Sequence, residues 1–314
     1  MLEAQAYGAL RFFYNYIREH DIDLICVWNG TLVPLAAAAR IAQKLGKKTA
    51  FFENGYLPGT TTVDPQGVNY ANSLVGKPRS FYDDIEIDPE QLHRLYETRP
   101  VIRALKSKWY QGLLKKKHQG QIEEVQLPAK YLFVPFQVND DTQVLLNSPK
   151  VKRMSELLDY IVPAVQQHNQ AVNDTIEIVV KEHPSDFGRV SYDDLRRKYE
   201  SKVLFLRYFP TPQLVKSAAG IITINSSVGI EALVQHKPII TMGNAFYNVP
   251  GLTVHAADPA KLSSLLASVN EQPDNTLIDK FLYFLRYHYL VEGNWRQPDL
   301  CHLQSVKTKL STFV

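Results

Sequence analysis

Apolar residues alternate along the chain between the spacing of helices and the spacing of buried strands. Helical spacing covers residues 3–20 and 32–46, and short apolar runs typical of buried strands cover residues 23–30 and 48–55. The connections are short, and the order strand, helix, strand is typical of a parallel sheet. The pattern therefore predicts a β-α-β unit near the start of the chain.

The same alternation returns further along the chain. Residues 57–90 are rich in Pro, Gly, Thr, Asn and Asp and show no period, which predicts a long loop. The last forty residues show helical spacing. Between these two regions we expect strands at 131–138, 175–184, 203–209, 220–225 and 237–243, and helices at 155–169, 211–218 and 226–236.

The polar stretch 118–130, which contains a single proline, separates the two alternating α/β halves. We therefore predict a first domain at residues 1–125, a second at 126–265, and C-terminal helices at 266–314 that pack back across the domains. The length of 314 residues agrees with two domains of about 150 residues each.

Composition and charge exclude several classes of protein. With 45% hydrophobic and 21% charged residues, the chain is neither fibrous nor disordered. Two cysteines, Cys26 and Cys301, cannot build a disulfide scaffold, and we expect free thiols in a reducing compartment. The net charge of +3 gives no reason to expect nucleic acid as a partner. No signal peptide or apolar run of roughly 18 residues is visible, which predicts a cytoplasmic protein that does not span a membrane.

The segment TINSSVGIEALVQHKPIITMG (223–243) follows a predicted strand and enters a helix. Hydroxyls of Ser226 and Ser227 and the free N–H groups of a helix start can bind phosphate, and Gly229 lets a ligand approach the backbone. Glu231 in the first turn can accept hydrogen bonds from a ribose. The alternative is an ordinary N-cap serine, with Glu231 interacting with the helix dipole.

Two further strands end in polar clusters. VVKEHP (179–184) delivers Lys181, His183 and Pro184 to the carboxyl edge of the predicted sheet, where ligands bind in open α/β folds. His183 can donate to a phosphate, while the alternative is a structural histidine at a strand end.

VPFQVNDDTQ (134–143) ends in the polar residues Gln137, Asp140, Asp141 and Gln143, and FFENGY (51–56) contains Glu53. Carboxylates at such positions can bind metal, act as acid or base, or attack as nucleophiles. The alternatives are solvated turns with aspartate caps. The chain contains no G-x-G-x-x-G, Walker A or H-E-x-x-H motif, and no Cys/His spacing typical of zinc.

Taken together, four segments resemble the capsule polysaccharide biosynthesis and export family, which includes bacterial β-Kdo glycosyltransferases of capsule and lipopolysaccharide assembly. They are FFENGYLPGTTTVDP, VPFQVNDDTQ, KEHP and NSSVGIEAL followed by KPI and GNAFYNVPGLT. The likeness runs from about residue 23 to 255. It implies an α/β fold of the GT-B type, with two Rossmann-like domains facing a cleft, a short N-terminal domain and a helical C-terminal tail.

The resemblance also implies an activity. The second domain would bind CMP-Kdo, and the first a lipid-linked or oligosaccharide acceptor, without a metal or other cofactor. His183, in the His-Pro element with Pro184, would contact the CMP phosphate, as would Ser226 and Ser227 beside Gly229, and Glu231 would bind the ribose.

The same resemblance assigns the chemical roles. Asp141, or its neighbour Asp140, would be the nucleophile of a retaining double displacement, and Glu53 the acid/base residue. Gln137 and Gln143 would shape the Kdo pocket, and Lys181 would pair with the Kdo carboxylate.

The resemblance leaves several alternatives open. The chain begins with a helix, not with the strand and glycine-rich loop of a complete GT-B half, so its N-terminal half is short. A different GT-B sugar transferase or a nucleotide-sugar epimerase is a second interpretation, and a non-catalytic subunit that binds capsule assembly proteins is a third. The basic stretch Lys106–Lys117 is either a contact with the inner membrane surface or a solvated helix face.

Overall fold

The computed structural model describes residues 2–97 and 124–314. The chain forms two compact units, of which the first comprises Met1–Leu95 together with Lys280–Val314 and the second comprises Tyr96–Asp279. These units differ from the three segments predicted from the sequence, because the chain leaves the first unit near Leu95 and returns to it at Lys280.

The first unit begins with the predicted β-α-β arrangement. Its elements are α1 (Leu2–Glu19), β1 (Leu24–Trp28), α2 (Leu35–Lys44) and β2 (Lys48–Asn54). β1 and β2 pair in parallel. Small buried alanines on α2 allow the helix to lie close to these strands, and Gly46 takes the left-handed conformation that ends the helix.

The long loop predicted for residues 57–90 is wrong in part. It contains β3 (Thr60–Asp64), which is fully buried and antiparallel to β2, and it leads to α3 (Arg79–Asp83) and α4 (Pro89–Glu97). The sequence TTTVD hides this strand because its buried residues are mostly polar. Each threonine hydroxyl of β3 donates to a main-chain carbonyl, so these β-branched residues can be buried without a lost hydrogen bond.

The second unit contains the predicted alternation of strands and helices. Strands follow one another as β4 (Tyr131–Pro135), β5 (Glu177–Lys181), β6 (Val203–Leu206), β7 (Gly220–Thr223), β8 (Ile239–Thr241) and β9 (Val254–His255). Helices are α5 (Thr142–Asn147), α6 (Met154–Val172), α7 (Asp193–Tyr199), α8 (Thr211–Ser217), α9 (Val228–Val234) and α10 (Leu262–Leu265).

These strands form one parallel sheet in the order β6-β5-β4-β7-β8-β9. The chain enters at β4, adds two strands on one side, and then crosses to add three on the other. This is the doubly wound Rossmann-like topology, in which the order of strands reverses between β4 and β7. The strands are mostly apolar because helices bury them. The core that they share with these helices includes Leu132, Val134, Ile178, Val180 and Ile222.

The C-terminal segment adds both helices and a strand. α11 (Asn275–Phe284) continues into a π-helical turn at Leu285–Tyr289, and α12 (Leu300–Ser311) ends the segment. Between them, β10 (Val291–Glu292) pairs antiparallel with β3. The first sheet therefore has the strand order β1-β2-β3-β10 within the described residues. The predicted helical tail is confirmed, with this short strand added.

A buried carboxylate joins three parts of the first unit. Asp64 is fully buried and ends β3. One of its oxygens accepts from the backbone N–H groups of Gln66 (2.7 Å) and Gly67 (3.1 Å). The other accepts from the N–H of Ser73 (2.9 Å), from its hydroxyl (2.6 Å) and from the hydroxyl of Tyr289 (2.9 Å). Burial raises the pKa of Tyr289, so its hydroxyl stays protonated as a donor.

We expect Asp64→Asn to destabilise the first unit. An amide offers one acceptor oxygen in place of two, so buried donors lose their partner at a cost of at least about 2 kcal/mol. Thermal unfolding measures this loss. Asp84→Asn, at an exposed position after α3, is the matched control. Equal midpoints for the two variants would contradict the role of Asp64.

Candidate functional site

Polar side chains lie at the carboxyl edge of the parallel sheet, on both sides of the reversal in strand order. Three of the four segments predicted to carry the chemistry meet there: residues 137–143 follow β4, residues 182–184 follow β5 and residues 225–231 follow β7. They are neighbours because β5, β4 and β7 are adjacent and parallel. The carboxyl edge at such a reversal is where open α/β sheets bind ligands.

A pair of side-chain amides closes the reversal point. The Nε2 of Gln137 donates to Oδ1 of Asn225 (2.9 Å), and the Oε1 of Gln137 accepts from the backbone N–H of Asn225 (3.1 Å) and the hydroxyl of Thr223 (3.3 Å). Gln137 and Asn225 are both buried. The amide of Gln137 therefore ties the ends of β4 and β7 together, and its predicted contact with a sugar stays a prediction.

Asn225 is a structural residue of this edge that the sequence motifs do not point to. Its Nδ2 lies within hydrogen-bond distance of the carbonyl oxygens of Gln143 (3.0 Å), Asn147 (3.3 Å) and Asn244 (3.3 Å). Two of these carbonyls belong to α5 and the third to the segment after β8, so one side chain connects the end of β7 to two other segments. The available signal was an asparagine placed directly between a buried strand and two serines.

The imidazole of His183 has a defined orientation. Its Nδ1 accepts from the backbone N–H of Ser185 (3.1 Å) and so caps the turn that begins at Pro184. The neutral ring then carries its proton on Nε2, which is available as a donor. Burial is the largest influence and lowers the pKa of His183; the carboxylates of Asp186 and Asp141 oppose this effect, and Lys181 adds to it.

Ion pairs support the end of β5 next to His183. Glu182 is almost fully buried, and its carboxylate accepts from Arg196 (2.6 Å to Nη2) and from the Nε of Arg207 (2.6 Å). The hydrogen bond between Arg207 and Glu182 raises the pKa of Arg207. Lys181 donates from Nζ to the hydroxyl of Thr211 (2.6 Å), at the start of α8. The role predicted for Lys181, pairing with a sugar carboxylate, stays a prediction.

The structure distinguishes the two aspartates after β4. Asp140 is exposed and pairs with Arg189 at 2.8 Å. Asp141 is the N-cap of α5 and accepts from the backbone N–H of Gln143 at 2.8 Å. Its charge also acts on His183, so the two groups lie in one electrostatic environment. The side chain of Gln143 accepts from Asn147 (3.1 Å) and orders the same helix.

In the turn into α9, the two serines have different surroundings. The hydroxyl of Ser226 accepts from the N–H of Val228 (3.2 Å), while Ser227 is exposed and makes no side-chain cap. The space beside Gly229 is filled by the ring of Tyr247, since an added Cβ would lie 2.5 Å from its hydroxyl oxygen. Glycine is therefore required here by an aromatic ring. The prediction that Gly229 lets a ligand approach the backbone stays a prediction.

Tyr247 is a second residue of this edge that the sequence motifs do not point to. It is buried, and its hydroxyl donates to the backbone carbonyl of Ser226 at 2.5 Å. Burial raises the pKa of Tyr247, so the hydroxyl remains a donor at neutral pH. Glu231 lies on α9 and is half-buried. Its predicted contact with a ribose stays a prediction.

Glu53 lies at the end of β2 in the first unit. Its Oε2 accepts from the Nδ2 of Asn29 (2.7 Å), and its Oε1 accepts from the N–H (2.8 Å) and Nδ2 (2.7 Å) of Asn54. This carboxylate is therefore held in place on both sides. Its role as an acid/base residue stays a prediction.

Three further features are a basic stretch, groups of metal ligands and membrane-spanning helices. The basic stretch Lys106–Lys117 lies outside the described residues. Within 2–97 and 124–314, no three His, Cys, Asp or Glu side chains are grouped so that they could hold a metal ion. Over the same residues, no helix has both the length and the apolar character needed to cross a membrane.

Comparison with known proteins places the chain in a family. A sequence model described as capsule polysaccharide biosynthesis protein matches residues 89–295, which is more than half of the chain. The chain belongs to this family. Protein FixF of Sinorhizobium fredii is 33% identical over 296 residues, which cover 94% of this chain and 67% of that protein. The capsule polysaccharide export protein KpsS of Escherichia coli is 28% identical and aligns with 75% of this chain and 71% of its own length.

Solved structures agree with the fold of this capsule-family chain. The Thermosulfurimonas dismutans KpsC β-Kdo 2,7 transferase matches with a TM-score of 0.55 and 17% identity, over 96% of this chain and 89% of that one. At this identity the likeness concerns the fold. It confirms the α/β class of the GT-B type that the sequence predicts.

We expect Asn225→Asp to destabilise the second unit. The change replaces a donating NH₂ group with an oxygen that faces three carbonyls, at a cost of about 1–3 kcal/mol or more. Chemical denaturation measures the loss. Asn139→Asp is the matched control, because the side-chain hydrogen bond of Asn139 within the described residues uses its oxygen, which accepts from the N–H of Met154 (3.0 Å). If both variants lose the same free energy of unfolding, the hydrogen bonds donated by Asn225 do not stabilise the second unit.

Proposed function

We propose that this chain is a retaining β-Kdo glycosyltransferase that transfers Kdo from CMP-Kdo to a lipid-linked or glycan acceptor in surface polysaccharide assembly. The observation that carries the proposal is the placement of His183 and of the Ser226–Ser227 turn beside the reversal point of one parallel sheet. Membership of the capsule family supports it, as does the fold shared with a protein named as a β-Kdo transferase.

The phosphate of the donor would lie against the two strand ends. The proton on Nε2 of His183 would donate to a phosphate oxygen, and the hydroxyl of Ser227, which makes no cap, would supply a second donor. Both donors stabilise the charge that develops on CMP as the bond to Kdo breaks. A neutral imidazole can fill this role, because its Nε2–H donates while Nδ1 keeps the hydrogen bond from Ser185.

Asp141 is the better of the two candidates for the nucleophile. Asp140 is engaged with Arg189, whereas Asp141 shares an environment with His183. The Asp141 carboxylate would attack the anomeric carbon as CMP leaves, and an acceptor hydroxyl would then displace Asp141. Two inversions give net retention, as in retaining glycosidases. Glu53 is the candidate base that takes the acceptor proton, and the proposal requires no metal.

We expect CMP to stabilise the protein against thermal unfolding more than UDP or GDP does. A ligand at about one hundred times its dissociation constant adds roughly 2.7 kcal/mol, which corresponds to several degrees. His183→Ala should lose most of the CMP effect while its own midpoint stays close to that of the parent protein.

His255→Ala is the matched control, because His255 ends β9 of the same sheet and is exposed. Stabilisation by UDP alone would favour a different nucleotide-sugar enzyme. No stabilisation by any nucleotide would favour the non-catalytic subunit.

We expect Asp141→Asn to abolish Kdo transfer while CMP still binds. The amide keeps the shape of the N-cap but cannot attack the anomeric carbon. Release of CMP from CMP-Kdo, followed with and without EDTA, measures the activity. Asp140→Asn is the matched control and should retain activity. The assignment is reversed if only Asp140→Asn is inactive, and an absolute need for added metal would contradict the metal-free proposal.

A further inference from the structure

Two tryptophans meet at the surface of the first unit. The ring centroids of Trp28, which ends β1, and Trp295, which follows β10, are 4.3 Å apart, and the ring planes make an angle of 53°. These are two of the three tryptophans in the chain. Trp295 is 38% exposed, so much of its apolar surface is in contact with water. Its position therefore gains less from burial than a core aromatic would.

A chain of hydrogen bonds connects this pair to Glu53. The Nε1–H of Trp295 donates to Oδ1 of Asn54 (3.0 Å), whose Nδ2 donates to Oε1 of Glu53 (2.7 Å). On the far side of the carboxylate, Asn29 donates to Oε2 (2.7 Å). The guanidinium of Arg296 lies 5.0 Å from the centre of the Trp295 ring. The indole is thus held at a defined distance from a carboxylate.

The backbone before Trp295 is also held. The N–H of Gly293 donates to the carbonyl of Gly59 (2.7 Å), and the hydroxyl of Thr61 donates to the carbonyl of Gly293 (3.0 Å). Gly293 has a φ of +95°, and a Cβ there would lie 2.5 Å from the Cβ of His302. Two hydrogen bonds and a glycine therefore fix the backbone two residues before a half-exposed tryptophan.

We propose that Trp28, Trp295 and Glu53 form a subsite that binds a pyranose ring of the sugar acceptor. The inference rests on the proposed transferase function and names where its acceptor binds. The C–H bonds on one face of a pyranose carry partial positive charge, and the face of an indole carries partial negative charge, so the two attract. Rigid tryptophans provide this contact at a low entropic cost.

Glu53 is the reason for proposing a sugar as the ligand, because its carboxylate can accept a hydrogen bond from a sugar hydroxyl. A carboxylate has about four acceptor positions. Asn54 occupies two of them on Oε1 and Asn29 occupies one on Oε2. Among residues 2–97 and 124–314, these three hydrogen bonds leave one position on Oε2 for the hydroxyl of a ligand. An indole face next to a carboxylate with one acceptor position left suits a ring that carries both C–H bonds and hydroxyls.

The test is ¹⁹F NMR of the full chain labelled with 5-fluorotryptophan. The chain has three tryptophans, so three resonances are expected, and single Trp→Phe variants assign them. Methyl glycosides of glucose, galactose, N-acetylglucosamine and Kdo are added one at a time, with no nucleotide present. At least one of them should shift the resonances of Trp28 and Trp295 in a saturable way.

Two variants sharpen the result. Trp295→Ala should weaken binding of that glycoside about tenfold or more, measured on the Trp28 resonance, and Trp295→Phe should weaken it less because a ring remains. Tyr7→Ala, which removes a more exposed aromatic from α1 of the same unit, is the control and should leave binding unchanged.

The proposal is overturned if none of the four glycosides shifts either resonance. It is also overturned if CMP shifts both of them, since the pair would then bind a nucleobase. Because no donor is present, failure of Kdo transfer in a separate assay would contradict the proposed function without changing the outcome here.

Discussion

The candidate donor site depends on the hydrogen bonds between Gln137 and Asn225. In a doubly wound sheet the strand order reverses at one point, where two adjacent strands are not consecutive in the sequence. Here that point lies between β4 and β7. No helix connects these two strands directly, so the segments that follow them are free to separate. The paired amides close that gap, and the Nδ2 of Asn225 extends the connection to the carbonyls around it. Ser226 directly follows Asn225, and Asp141 begins the helix that contains Gln143 and Asn147, so both lie beside this connection.

Buried carboxylates stabilise both units by satisfying donors that would otherwise be lost. Asp64 collects backbone and hydroxyl donors from separate loops, and Glu182 neutralises two arginines. Neither carboxylate contacts a candidate reacting group in the described residues. Each is costly to bury alone and acceptable when fully paired. Asp141, by contrast, is exposed and is the N-cap of α5.

Sequence patterns predict the parallel strands well, because strands buried on both faces are apolar without interruption. β3 escapes the same rule because its threonines are buried with their hydroxyls bonded to carbonyls, a fact that depends on partners far along the chain. His183 and Ser226 can be found from residue type and position at strand ends. Asn225 and Tyr247 cannot, because their donors reach groups that only the folded chain brings near. Gly229 shows the same limit, since the ring that requires it lies in another segment.

The return of the chain to the first unit has a consequence during synthesis on the ribosome. β3 pairs with β2 early, but its other edge and one donor to Asp64 are supplied by residues from Tyr289 to Glu292. Because domains fold as they emerge, the second unit can fold while the first still exposes a strand edge. The nascent chain therefore carries an unpaired edge from Asp64 until Val291 is translated, more than two hundred residues later, which takes roughly 11–45 seconds at ordinary rates. That interval is where this protein is most exposed to aggregation and to chaperones.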